Sequence, residues 1–317
     1  MADRGFDLFA EDWAPSYEPP STFELDGTAA VEPTESATFT ARRPGAAAPL
    51  PLAFVDGTRR VDLGLWQIDR ATGEAHRGIA GSYAVGATVT EPYRPARVVA
   101  ERVGRLCVWG GGRTGDLGPR SGIHWRSHSI ASSDPGKPLA ALQDAMRDAE
   151  AELAQELSGT GWLVVLDGPL NRTRALTKMV AGYVKTHHRR LLPDDQHVRL
   201  PSLDVGERCP IWSVGADRYT CYARIGAPGP VGSPWSGIVR LEFPAEFGLD
   251  ASVEAADRLT GVLPGHAGVR HRDPRAPQNL TPVRILEIAL GRRLGSSRLA
   301  TRVARDAVAA QREGAVR

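Results

Sequence analysis

Apolar and polar positions change in short blocks through much of the chain and settle into a helical rhythm toward its end. The runs LPLAFVD (residues 50–56), VDLGLWQID (61–69), HRGIAGSYAVGATV (76–89) and RLCVWG (105–110) predict strands separated by Gly and Ser. The first run ends abruptly on Asp56 and Gly57, and the boundary recurs where WLVVLDGPL (162–170) stops at Asp167 and Gly168. Between them PLAALQDAMRDAEAELAQEL (138–157) has the period of a helix. A helical stretch is expected around RALTKMV (174–180). Strands are expected at GYVK (182–185), IWSVG (211–215), YTCYARI (219–225) and GIVRLEFP (237–244). LDASVEAADRLTGVL, TPVRILEIALGRRL and SSRLATRVARDAVAAQ then predict three helices, the second opening on Thr281 as N-cap with Pro282 behind it. Antiparallel strands followed by a helix crossing to a further strand predict an α/β fold, a mixed sheet flanked by helices.

Composition narrows the class. With 42% hydrophobic and 24% charged residues in 317, the chain has the make-up of a soluble globular protein. No run approaches the ~20 apolar residues of a membrane span, and the acidic start lacks a basic signal region, so a cytoplasmic protein is expected. Cys107, Cys209 and Cys221 form no CxxC pair, which argues against a disulfide framework or a cysteine zinc site. The net charge of +2 conceals an asymmetry: residues 1–45 carry nine acids and three arginines, residues 291–317 seven arginines and two acids. Residues 1–48 read as an acidic arm, extended or briefly helical, that packs on the body or docks a partner.

The candidate chemistry lies in carboxylates that defy their surroundings. Taken singly, each Asp-Gly is a common turn dipeptide. If the two strands lie side by side and parallel, however, Asp56 and Asp167 emerge together at the carboxyl edge of the sheet, where α/β proteins place ligands. Two charges so close repel unless a cation lies between them, and oxygen-only ligands favour Mg²⁺ or Mn²⁺. On the helix, Leu139, Leu142, Met146, Leu153 and Leu157 form one stripe, and Glu150 falls inside it. The last-but-one helix places Glu287 beside Val283, Leu290 and Leu294, a candidate fourth carboxylate, and Asn279 in the preceding loop is a competing oxygen ligand. Such a cluster suits hydrolysis of phosphodiesters, with Lys185 available to neutralise the phosphate and His187, His188, Arg189 and Arg190 forming a basic run beside it.

Other motifs carry less. GGGRTG within residues 109–122 lacks the GK[ST] ending of a phosphate-binding loop and reads as an insertion. His124 and His128 have the spacing of a zinc pair on a helix, but their neighbours do not favour one.

FVDGTRR, the helix bearing Glu150, VVLDGPL, GYVK and the late PQNLTP segment resemble, in order and spacing, the NurA nuclease family over residues 50–300. The resemblance implies an RNase H-like fold for residues 49–300; residues 301–317 read as a basic C-terminal helix or tail. It implies Mn²⁺- or Mg²⁺-dependent exonucleolytic (5′–3′) or endonucleolytic cleavage of DNA in end processing, repair or defence. It also implies a homodimer acting with a HerA-type hexameric ATPase. Asp56, Glu150 and Asp167 match the family's acidic positions and Lys185 its Gly-x-Val-Lys strand. Two positions depart: Pro169 follows the second Asp-Gly, and the family's late metal-binding His has no counterpart, a place that Glu287 or Asn279 would fill. A catalytically weak adaptor that binds the ATPase and DNA, and an enzyme acting on RNA or hybrids, are the alternative readings.

Overall fold

A computed structural model describes residues 6–10, 30–45, 51–170, 176–185, 190–229 and 232–316 of the chain. Two strands come from the N-terminal segment, β1 (Phe6–Ala10) and β2 (Val31–Pro33). A long antiparallel meander follows, β3 (Leu52–Asp69), β4 (Ala75–Thr90) and β5 (Arg97–Trp109), with the short strands β6 (Leu117–Arg120) and β7 (Ile123–Ser129) at its edge. Helix α1 (Lys137–Ser158) crosses to β8 (Leu163–Asp167), which is parallel to β3, and β9 (Val180–Val184) is parallel to β8. After the single turn α2 (Asp194–His197) come β10 (Glu207–Arg208), β11 (Trp212–Val214), β12 (Arg218–Arg224) and β13 (Ile238–Pro244). Three helices complete the set, α3 (Gly248–Val262), α4 (Thr281–Leu294) and α5 (Ser297–Val316).

All strands join one mixed sheet in the order β2-β11-β12-β13-β9-β8-β3-β4-β5-β7-β6, with β1 added to β3 and β10 to β12. Helix α1 covers one face, its Leu153, Ala154 and Leu157 packing on Ala53, Val55, Val164 and Leu166. The other face is covered by α3 over Phe54, Val165 and Tyr183, by α4 over Ala84, and by α5 over Leu63, Leu65 and Cys107. No helix among the described residues is long and apolar enough to cross a membrane.

Several expectations are corrected. The strand beginning at Leu52 does not stop at Asp56 and Gly57 but continues to Asp69, with Asp56 opposite Gly86 and Gly57 opposite Val85 on β4. What ends there is burial from both sides. Leu52 to Val55 are fully buried between two helical layers, and the neighbouring strand β8 runs out at the same level. An unbroken apolar run reports two-sided cover, and its end was read as the end of the strand. Likewise the Gly-rich stretch 109–122 is not all loop, since it contains β6, whose Leu117 is in the core. The described part of RALTKMV, Leu176 to Met179, is not helical, and Val180 opens β9. At α4 the cap position falls to Leu280. Thr281 is the first helical residue and its hydroxyl donates instead to Ala267 O at 3.5 Å. His187, His188 and Arg189 lie outside the described residues.

The described part of the acidic arm is built into the body. β2 extends the sheet at β11, and just beyond it Glu35 accepts Arg208 Nη1 at 2.7 Å and the Ile211 N–H at 2.8 Å. Arg208 is almost wholly buried and also donates to Asp257 at 2.6 Å. Burial raises the Glu35 pKa, but the bonds from Arg208 and Ile211, with the Arg208 and Arg42 charges, outweigh it and hold the carboxyl below its ordinary value. Glu35→Gln is therefore expected to destabilise the fold by about 1.5–3 kcal/mol, since it leaves the buried guanidinium with Asp257 as its remaining carboxylate. The loss should be read in urea at pH 7. It should shrink as the pH falls through the folded pKa of Glu35, where the wild-type carboxyl also loses its charge; a pH-independent difference would disprove the ionic origin.

Candidate active site

The parallel register of β3 and β8 pairs Val55 with Leu166 and so brings Asp56 and Asp167 level at the next position. Asp56 lies on the face covered by α4, because its partner Gly86 looks onto Leu286 and Leu290. Glu150 comes from the opposite face on α1 and is also buried. It reaches the cluster over Gly57: a Cβ built there would lie 2.5 Å from Glu150 Oε1 and 3.0 Å from Met146 Cγ. The Asp-Gly dipeptide thus has a division of labour, Asp56 supplying a carboxylate and Gly57 the room for another to approach.

The three acids perturb one another. Burial, then the charges of Asp167 and Glu150, raise the Asp56 pKa well above the carboxylate range, with Lys185 opposing. Burial and Asp167 push Glu150 up to about 8. Asp167 is raised by burial, against the charge and hydrogen bond of Lys185. Lys185, just past β9, donates to Asp167 Oδ2 at 2.6 Å and to Asn279 Oδ1 at 2.9 Å. Among the described residues the second carboxylate oxygen, Asp167 Oδ1, has no hydrogen-bond partner, and it is buried.

Around this core the loop before α4 contributes more than its sequence suggests. Asn279 is fully buried, and its Nδ2 donates to Asp273 Oδ2 at 2.6 Å while its oxygen faces Lys185. Asp273, itself buried, accepts the Arg275 N–H at 2.8 Å. Arg275 in turn grips Glu287 with both guanidinium nitrogens, at 2.8 and 2.6 Å. Tyr183 donates to Gln278 O at 2.5 Å and ties the loop to β9. Asp273 and Arg275 were not singled out in the sequence. In HRDPRAPQNL nothing periodic separates them from solvated loop charges, and only the two prolines and the buried Asn hint at fixed geometry.

Of the six sequence candidates, Asp167, Lys185 and Asn279 are joined by hydrogen bonds, and Asp56 and Glu150 lie near enough for their charges and that of Asp167 to act on one another. Glu287 stands beside them, close enough for its charge to raise Asp167, but it is held by Arg275. Pro169 removes one N–H after the second Asp-Gly, and the next one, of Leu170, is taken by Glu242 Oε2 at 3.0 Å.

Among the described residues no three Asp, Glu, His or Cys side chains stand together as a ready-made metal-ligand group. The donor chemistry nonetheless fits a hard divalent cation: the buried carboxylates raise one another's pKa by charge, and Asp167 Oδ1 has no donor among the described residues. In this structure the ammonium of Lys185 provides the nearest compensating positive charge.

No family model matches the chain, and no curated protein matches it. Among solved structures, it is similar to the crystal structure of the NurA nuclease from Sulfolobus solfataricus, at 12% identity and a TM-score of 0.40, over 71% of this chain and 76% of that one.

Proposed function

We propose that the protein is a metal-dependent deoxyribonuclease of RNase H-like architecture that hydrolyses phosphodiester bonds at Asp56, Glu150 and Asp167. The observation that carries this reading is the buried, mutually repelling trio with an Asp167 oxygen that no donor among the described residues satisfies. The spatial order β5-β4-β3-β8-β9, a meander followed by a helical crossover to parallel strands, supports the architecture.

Mn²⁺ or Mg²⁺ held by Asp56, Asp167 and Glu150 would supply positive charge to the scissile phosphate and to the attacking water. Lys185 would neutralise the same phosphate, and the bond it donates to Asn279 Oδ1 would keep its ammonium at the site once Asp167 turns to another partner. Asp273 fixes the Asn279 amide so that its oxygen, not its nitrogen, faces the lysine. Asn279 and Asp273 are thus positioning residues in this scheme, and Glu287 joins the cluster only if Arg275 lets it go. Action as a homodimer with a HerA-type DNA-translocating ATPase belongs to the same proposal, and co-elution of the two proteins tests it.

A second reading, a catalytically weak adaptor that binds DNA and the ATPase, draws on two facts. Lys185 already neutralises Asp167, and Glu287 is already paired. Incubation of the purified protein with end-labelled single- and double-stranded DNA and RNA in Mn²⁺, Mg²⁺ or EDTA separates the readings. Cation-dependent cleavage of DNA is expected. Cleavage of RNA alone would move the substrate class, and no cleavage with or without the ATPase would leave the adaptor.

Gly57→Ala provides a finer test. The added methyl meets the ends of the Glu150 and Met146 side chains, which can move, so the fold is expected to survive with a cost of about 1–3 kcal/mol. Displacing Glu150 should lower the cleavage rate by roughly 10²-fold. A wild-type rate in a folded Gly57→Ala protein would remove Glu150 from the mechanism.

A further inference from the structure

We propose that the exposed face of α5 grips the phosphodiester backbone of the nucleic acid at a distance from the carboxylates; the link to cleavage rests on the nuclease reading, the grip itself does not. A cleft of about 370 Å³ runs along this face, lined by Ser297, Arg298, Thr301, Arg302, Arg305 and Asp306. Positions 298, 302 and 305 share one side of the helix. All three arginines are exposed, and among the described residues none has an ion-pair or hydrogen-bond partner.

Elsewhere the described arginines are widely engaged: Arg60 with Asp62 and two carbonyls, Arg102 with Glu156, Arg224 with four carbonyls, Arg275 with Glu287. The α5 set is also placed against local electrostatics. Arg298 and Arg302 lie near the positive end of the helix dipole, with no acid in the first turn, and like charges four apart repel. Asp306 is the single acid in the cleft. This arrangement costs stability unless an anion completes it.

The helix that carries the arginines is held firmly. Ala300, Val303, Ala304, Ala307 and Val308 pack into the core beneath, Thr301 Oγ1 donates to Asp62 O at 2.8 Å, and Ser296 caps the first turn through Leu299 N at 3.3 Å. Its anchor on β3 gives the distance to the site. Asp56 and Asp62 are six residues apart on one strand, roughly 20 Å, and both α4 over Asp56 and α5 cover the same face. Arg298 to Arg305 spans about 10 Å of helix. The face thus presents three fixed positive charges along about 10 Å to a phosphodiester backbone that passes it, roughly 20 Å along β3 from the carboxylates. Rigidity and unneutralised charge both fit a polyanion.

The test is binding of the full-length protein to fluorescein-labelled single-stranded DNA of about 20 nucleotides in EDTA, where cleavage is prevented, across a salt titration. Loss of three phosphate contacts in Arg298→Ala/Arg302→Ala/Arg305→Ala should reduce the slope of log K against log salt by about 2 and weaken binding at least about tenfold at low salt. The corresponding triple lysine variant should keep the slope, since charge and not fork geometry is required. A triple alanine variant that melts like wild type and binds with unchanged slope and affinity would overturn the proposal. The nuclease reading fails separately, if wild type binds as described yet never cleaves with Mn²⁺.

Discussion

Asp56→Asn is expected to abolish cation-dependent cleavage and, unusually for a change at a buried charged position, to raise the melting temperature. The amide keeps the volume of the carboxyl but removes a charge that is buried, is repelled by Asp167 and Glu150, and is opposed by the Lys185 charge and the Gly57 N–H. Relief of that repulsion should add on the order of 1 kcal/mol at pH 8. A cluster that gives several kcal/mol of charge stabilisation to the transition state loses about 10³-fold or more in rate when one ligand becomes neutral. Asp167→Asn should be equally inactive but not more stable, because it breaks the 2.6 Å ion pair with Lys185. The opposite signs of the two melting shifts, measured with cleavage on the same preparations, are the diagnostic result. Full activity in either variant would falsify the site.

The second large effect is a stability that runs against pH until a cation is supplied. Glu150 is raised to about 8 and Asp56 is raised well above the carboxylate range, so the folded protein holds protons there that the unfolded chain has released. Their contribution is fully present below the unfolded pKa, near 4.5 for Glu150, and is lost as the pH rises through the folded value. In EDTA the protein should therefore lose stability between about pH 5 and 8, at up to roughly 1.4 kcal/mol per pH unit for each group involved. Mn²⁺ competes with those protons, so it should bind more tightly at pH 8 than at pH 6, release protons on binding and reverse the loss. Thermal melts in EDTA and Mn²⁺ across that range, with calorimetric titration in two buffers of different ionisation enthalpy, measure all three. Stability that does not respond to pH or Mn²⁺ would place the carboxylates in an ordinary hydrogen-bonded network.

Much of this site was legible in the residues themselves. Glu150 betrayed itself by interrupting the stripe of Leu142, Met146, Leu153 and Leu157, and it is buried as the period requires. Asp56 and Asp167 were legible as charges at the limits of apolar runs, and the helix between the runs implied the crossover that makes β3 and β8 parallel. That the first limit lies inside an 18-residue strand was not legible, since a run of buried residues reports cover by other layers and says nothing of the backbone hydrogen bonds that β4 continues to supply. The role of Gly57 was hidden for a related reason: what a missing Cβ makes room for lies 93 positions away, on α1.

By itself, then, the sequence determined most of the strands and helices, through period, length and apolar content, and which acids stand out against their local pattern. Only the tertiary structure decided what those acids meet: Lys185 on Asp167, Asn279 turned by Asp273, Glu287 captured by Arg275, and Glu35 of the arm sealing Arg208. Periodicity is a property of neighbours along the chain and survives in the sequence. Charge pairing is a property of neighbours in space, set by a sheet order that brings residues 56, 167 and 279 together, and its energy depends on a burial that exists only once the layers have closed.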